Sequence, residues 1–121
     1  MEKKIKEIEK ILKYNFKKTT LLETALTHKS FDNNVNNEKL EFLGDRVLGL
    51  VVSETLLKRF PNEREGQISR RYANLVKRDS LAVVARKIKF GDYLLISAGE
   101  EAAGARESVT ILSDALEAVI G

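Results

Sequence analysis

Apolar residues recur at helical spacing along most of the chain. Ile5, Ile8, Ile11 and Leu12 fall three and four apart among lysines and glutamates, which predicts an amphipathic first helix. Thr19 or Thr20 is placed to cap a second helix carrying Leu21, Leu22, Ala25 and Leu26. The run from Asp32 to Asn37 is loop-forming by composition. From Glu38 to Phe60 no proline interrupts a dense apolar pattern: Leu40, Leu43, Val47, Leu50, Val51 and Leu57, with Phe42, Leu48, Val52 and Leu56 around the same girth. The spacing predicts one long helix, stopped by Pro61, that is buried either in the core or against another subunit. A loop over 61–66 leads to a basic helix from about Gln67 to Arg78, and Asp79 caps the next, Ser80 to Lys89, which Gly91 ends. Tyr93 to Ile96 is ambiguous between helix and strand, Gly99 to Gly104 reads as a small-residue loop, and Val109 to Ile120 is helical again. The expectation is an all-α chain of about six helices without a sheet.

Composition narrows the class. A length of 121 residues suits one small domain, which a partner subunit would help to stabilise. Cysteine is absent, excluding disulfides, a thiolate nucleophile and a cysteine-based zinc site. No apolar run approaches the roughly 18 residues of a membrane span, and Met1-Glu2-Lys3-Lys4 does not open a signal peptide, so a cytoplasmic location is expected. Net charge is only +3 but it is segregated: residues 1–20 carry +4, 21–57 carry −3, 58–89 carry +7 and 90–121 carry −5. Basic surface beside concentrated carboxylates suits a protein that holds a polyanion and places metal ions on it; the same pattern also suits ordinary solvated helix faces.

The candidate chemistry lies in acids set into the two most apolar helices. Glu38, Glu41 and Asp45 stand at i, i+3 and i+7, on one face; Asp114 and Glu117 stand at i and i+3 on the last helix. Like charges at this spacing repel, and a hard divalent cation such as magnesium, which takes oxygen ligands, would offset the repulsion. Hydrolytic phosphodiester cleavage is the reaction class such a site supports. The spacing leaves a second reading open, in which Glu38 and Glu41 merely favour a helix N-terminus and Asp114 starts its own helix. His28, the one histidine, has no nucleophile elbow beside it and is too few for a two-histidine ribonuclease mechanism; a structural hydrogen bond is its expected role.

The stretch Asn37-Glu38-Lys39-Leu40-Glu41-Phe42-Leu43-Gly44-Asp45 resembles the signature motif of the ribonuclease III family. Ala25-Leu26-Thr27-His28-Lys29-Ser30-Phe31 is similar to a segment upstream of that signature, and Glu65-Gly66-Gln67-Ile68-Ser69 to its acidic-glycine turn. Gly99-Glu100-Glu101 and Ile111-Leu112-Ser113-Asp114-Ala115-Leu116-Glu117-Ala118 resemble the distal catalytic segment. The resemblance implies an all-helical, homodimeric endonuclease domain that cuts both strands of double-stranded RNA with Mg2+, or Mn2+ in its place. Products would carry 5′-phosphates and 3′-hydroxyls with a two-nucleotide 3′ overhang, and ribosomal RNA precursors would be among the substrates. It implies Glu41, Asp45, Asp114 and Glu117 as metal ligands, with Asp45 and Glu117 most critical for cleavage. Glu38 and Glu65 would be auxiliary acids, and Phe42 would plug a cavity in the partner subunit.

A-form RNA is read through its shape, phosphates and 2′-hydroxyls, so Arg70, Arg71, Lys77 and Arg78 are candidate phosphate contacts or plain solvated charges. Gly44 would permit close helix approach at the dimer seam, or else local packing within one subunit. Two departures stand out. Arg46 follows Asp45 where many members have a small residue, and the chain stops at Gly121, where the family's endonuclease domain continues in further helix before a double-stranded-RNA-binding domain. The expected organisation is therefore one endonuclease domain over 1–121, incomplete at its C-terminus. The alternative function is a non-cleaving dimeric RNA-binding or scaffold module.

Overall fold

The computed structural model describes residues 1–121 as seven α-helices: α1 (Glu2–Leu12), α2 (Thr19–Ala25), α3 (Glu38–Arg59), α4 (Glu65–Val76), α5 (Arg78–Lys87), α6 (Ala98–Ala102) and α7 (Val109–Ile120). Two 3-10 turns, Phe90–Tyr93 and Ala105–Glu107, complete the set. The all-α expectation holds, and the ambiguous stretch after Tyr93 is extended. Leu95 donates to the Leu26 carbonyl and accepts from His28, both at 2.9 Å, forming a single parallel bridge. No helix is long and apolar enough to cross a membrane.

The most apolar helix, α7, is the axis of the fold, and α3, α5 and α2 pack around it. The core joins Ile5 and Ile8 of α1, Leu22 and Leu26, Leu81 and Ala85 of α5, Phe90, Leu94, and Leu112, Ala115 and Leu116 of α7. Fully burying a large apolar side chain of this kind contributes about 1.5–3 kcal/mol. Arg106 staples the far end: it donates to the Gly91 and Leu94 carbonyls at 2.8 and 2.9 Å and to Glu101 at 2.9 Å.

Several element ends differ from the expectation. Thr19 is already helical in α2, and its N-cap, Lys18, makes no side-chain cap. Helix α4 starts at Glu65, two residues before Gln67, because Gln67 Oε1 accepts from the Arg64 N–H at 3.1 Å and closes the first turn there. Asp79 lies within the first turn of α5 rather than at its cap, which is Lys77. Lys89 reverses the chain after α5 with a left-handed φ of 55°; Gly91 is buried, and a side chain there would overlap the Arg106 carbonyl. The small-residue stretch at 99–104 holds the short helix α6, because Ser97 Oγ accepts from the Glu100 N–H at 3.2 Å; Gly104 then turns the chain at φ 85°.

Helix α3 runs as predicted, but within this single chain only Gly44 and Leu56 of it are buried. Phe42 is 63% exposed and Leu50 71%, and Leu43, Val51 and Leu57 are open as well. Leu43, Leu50 and Leu57 recur every seven residues, the spacing of a helix–helix seam. An exposed apolar face with this repeat is a candidate protein contact.

Candidate active site

The start of α3 is held by buried Asn37. Its backbone N–H donates to the Thr27 carbonyl at 2.9 Å and its side-chain amide to the Ala25 carbonyl at 3.3 Å. Asp32 shapes the preceding loop by accepting from the Asn34 and Val35 N–H groups at 2.9 and 3.0 Å, which lowers its pKa. Helix α3 then crosses α7 with Gly44 against the Glu117 backbone, where any side chain at 44 would overlap the Glu117 carbonyl. Gly44 therefore serves the crossing within one subunit. That corrects its assignment to a dimer seam, since its open face is filled by α7.

The crossing brings the acids together. Carboxylate oxygens of Glu41, Asp114 and Glu117 lie within 4.8 Å of one another. Glu41 and Glu117, with Asp45 and Glu38, line a cleft of about 320 Å³ whose other walls are Phe42, Arg46, Val76 and Arg78; Asp114 is not one of its walls. Glu117 is only 8% exposed. Burial first, then a hydrogen bond from Glu117 to Asp45 and the neighbouring acids, push its pKa up to about 7. Glu41 is raised by burial, by the charge of Asp114 and by a hydrogen bond with it. Asp114 is raised by burial, which outweighs the opposing pull of Arg78 and of Glu41. Asp114 Oδ1 is buried with no hydrogen-bond partner, a state that is costly for a carboxylate unless something ligates it. These residues fit a hard divalent cation: they supply several close oxygen donors, mutual repulsion to be relieved, and a buried carboxylate oxygen without a hydrogen bond.

Cations of the chain itself touch the cluster. Arg46 Nη1 lies 3.2 Å from Asp45 Oδ2 and donates to the Phe42 carbonyl at 3.2 Å, with its guanidinium 3.8 Å from the Phe42 ring centroid. Arg78 donates to Thr110 Oγ1 at 3.2 Å and approaches Asp114 Oδ1 to 3.8 Å. Of the predicted basic contacts, Arg71 is engaged elsewhere: it clamps Glu63 with two hydrogen bonds of 2.8 Å and stacks on Phe60 at 3.7 Å. Arg70 and Lys77 stand apart from the cleft. Glu65 accepts from Ser69 Oγ at 2.8 Å and does not line the cleft. His28 has the structural role expected: its Nδ1 accepts from the Ser30 N–H at 3.1 Å and lies 2.7 Å from Ser30 Oγ, which in turn accepts from Ser97 N–H at 3.1 Å. Sequence reasoning missed the structural roles of Asn37 and Arg106 and the approach of Arg78 to Asp114, whereas pairing of Arg46 with a neighbouring acid is one of the two roles its position suggests. Asn37 had a signal in its position directly before a helix.

A larger concavity of about 730 Å³ lies between the α1–α2 connection and the end of α7, lined by Leu12, Phe16, Leu21, Leu40 and Val119 among others. It is mostly apolar and has no acid in its lining, unlike the smaller cleft.

Fold and cluster together define an all-helical, carboxylate-centred domain, and its relatives are identifiable. Residues 18–121 match the family model described as Ribonuclease-III-like, and the chain belongs to that family. It is 50% identical to Ribonuclease 3 of Campylobacter jejuni (strain RM1221) over 119 residues, 98% of this chain and 53% of that protein. It is 49% identical to Ribonuclease 3 of Pseudomonas fluorescens over 121 residues, 100% of this chain and 52% of that one. The chain thus spans about half the length of the curated relatives it matches. The solved nuclease domain of ribonuclease III from Campylobacter jejuni, described for flexibility in its dimer-forming region, superposes with a TM-score of 0.92 at 50% identity. That match covers 95% of this chain and 80% of the other. A second structure of that domain gives 0.90 at 49% identity, covering 94% and 78%.

Proposed function

We propose that this chain is the catalytic domain of an endoribonuclease that hydrolyses phosphodiester bonds on both strands of double-stranded RNA with Mg2+, Mn2+ serving in its place. On this reading it leaves 5′-phosphate and 3′-hydroxyl ends with a two-nucleotide 3′ overhang and acts in RNA processing in the cytoplasm, ribosomal RNA precursors included. The observation that carries it is the convergence of Glu41, Asp114 and Glu117 from two crossing helices, with Asp45 beside them in the cleft and a buried Asp114 oxygen without a hydrogen-bond partner.

Glu41, Asp45, Asp114 and Glu117 would hold the metal. When bound, the metal lowers the pKa of a water and stabilises charge on the phosphate and the leaving oxygen. The chain's own contribution is positional. Gly44 sets the α3–α7 separation, Asn37 fixes the start of α3, and burial of Glu117 keeps bulk water from its own carboxylate. Glu38 lines the cleft as an auxiliary acid; Glu65 takes that role only where a partner or substrate brings α4 closer. Arg70, Lys77 and Arg78 contact RNA phosphates. The domain works as a homodimer whose seam includes Phe42 and the Leu43–Leu50–Leu57 stripe, so that two clefts address two strands.

Incubating the protein with a long labelled RNA duplex, with and without Mg2+ and beside Asp45→Asn, tests this. Duplex-specific cutting that needs Mg2+ and is lost in Asp45→Asn is expected. Duplex that is bound but left intact at high protein concentration would instead support a non-cleaving RNA-binding module.

A further inference from the structure

Two of the arginines named above are fully occupied: Arg71 by Glu63 and Phe60, and Arg106 by Glu101 and two backbone carbonyls. Arg78 is not. It is the first residue of α5, its side chain is 59% exposed, and it reaches across to α7. There Thr110 Oγ1 tethers Nη1 at 3.2 Å, while Nη2 stops 3.8 Å from Asp114 Oδ1, too far to hydrogen-bond. The guanidinium supplies positive charge to the cluster and leaves the inward oxygen of Asp114 free to ligate.

We propose that Arg78 is the resident counter-ion of the acid cluster and sets its affinity for the divalent cation: it offsets the carboxylate repulsion in the metal-free protein and opposes the entering ion. The proposal rests on the metal-binding reading of the cluster. The electrostatics run one way. The cleft lies partly out of water, where a unit charge held several ångströms from a divalent ion acts through a lower effective dielectric than bulk solvent. The tether to an exposed Thr110 hydroxyl is weak enough to be given up. An Arg78 displaced by the ion keeps its place on the cleft wall, where its charge faces any polyanion drawn to the cleft. Arg46, the other guanidinium at the cleft, is bound more closely, to Asp45, the Phe42 carbonyl and the Phe42 ring, and stays part of α3.

The test is calorimetric titration of the full chain with Mn2+ alone, without RNA, at pH 8. Arg78→Ala and Arg78→Gln, both neutral, are expected to bind Mn2+ at least about tenfold more tightly than wild type, tenfold being what Coulomb's law gives at the dielectric of water for a separation of about 6 Å. Arg78→Lys, which keeps the charge, should stay close to wild type. Neutral variants that bind as wild type does, or more weakly, overturn the proposal. Asp114→Asn is the reference for the site. A wild-type chain that takes up Mn2+ no better than Asp114→Asn overturns the metal site itself, which separates that failure from a failure confined to Arg78.

Discussion

Gly44 of α3 packs directly against the backbone carbonyl of Glu117 on α7, with no room for a methyl group between them. Asp45, the next residue along α3, comes near enough to Glu117 to raise its pKa because the helices approach that closely. A glycine in mid-helix costs about 1 kcal/mol against alanine when it is exposed, so on helix propensity alone Gly44→Ala should stabilise. Steric overlap reverses the sign: overpacking of this kind costs about 1–3 kcal/mol. Urea denaturation of Gly44→Ala should show a net loss, together with weaker Mn2+ binding because the two acid-bearing helices are pushed apart. A more stable variant would mean that the crossing is looser than described.

The raised pKa of Glu117 makes metal-free stability depend on pH. Between its ordinary value of 4.5 and about 7 the folded chain holds a proton that the unfolded chain has lost. Stability therefore falls as pH rises through this window and levels off above it. Thermal midpoints without metal should decline from pH 5 to pH 8. Glu117→Gln, which keeps the shape and removes the charge, should flatten the decline and be the more stable protein at pH 8. Saturating Mg2+ or Mn2+ should restore the wild type at pH 8, by about 2.7 kcal/mol at a hundred times the dissociation constant, and leave Glu117→Gln with a smaller gain.

The exposed stripe on α3 makes a separate prediction. Leu50 is 71% exposed in the single chain, so replacing it should change monomer stability by no more than about 0.5 kcal/mol. If Leu43, Leu50 and Leu57 form the subunit seam, Leu50→Glu places a charge in it and dissociates the dimer. Sedimentation velocity should show wild type as a dimer and Leu50→Glu as a folded monomer. An unchanged sedimentation coefficient would place the interface elsewhere.

For RNA, Arg70 on α4 and Lys77 just past its end offer exposed charge, whereas Arg71 is committed to Glu63 and Phe60. Each phosphate contact removed should lower the salt dependence of duplex binding by about one unit of slope. Arg70→Ala and Lys77→Ala are expected to do so and Arg71→Ala is not, as filter binding across a salt series would show.

Much of this molecule is legible in its sequence, for physical reasons that differ by element. Helices α3 and α7 are the two most apolar, and their acids stand at spacings that fix a shared face on each; spacing alone leaves open whether those faces meet, and the family resemblance of the flanking motifs is what pairs them. Helix ends are less legible, because capping is settled by contacts that spacing does not encode: the Arg64–Gln67 bond moves the start of α4, and Ser97 makes a helix of what composition marks as loop. Gly44 illustrates the limit. The residue type signals a close approach, but a one-dimensional pattern does not say whether the neighbour is another subunit or α7. The pairing of Arg78 with Asp114, distant in sequence, follows from the packing of α5 on α7 and has no local signal.

The most direct test of the account is to map the cut ends on both strands of a short, perfectly paired RNA with wild type, Asp45→Asn and Glu117→Gln, with Mg2+ at pH 8. The expected result is 5′-phosphate and 3′-hydroxyl ends offset by two nucleotides, produced by wild type and by neither variant. Cutting that persists in both variants, or that proceeds without a divalent cation, would contradict the assignment of the chemistry to the carboxylates at the α3–α7 crossing.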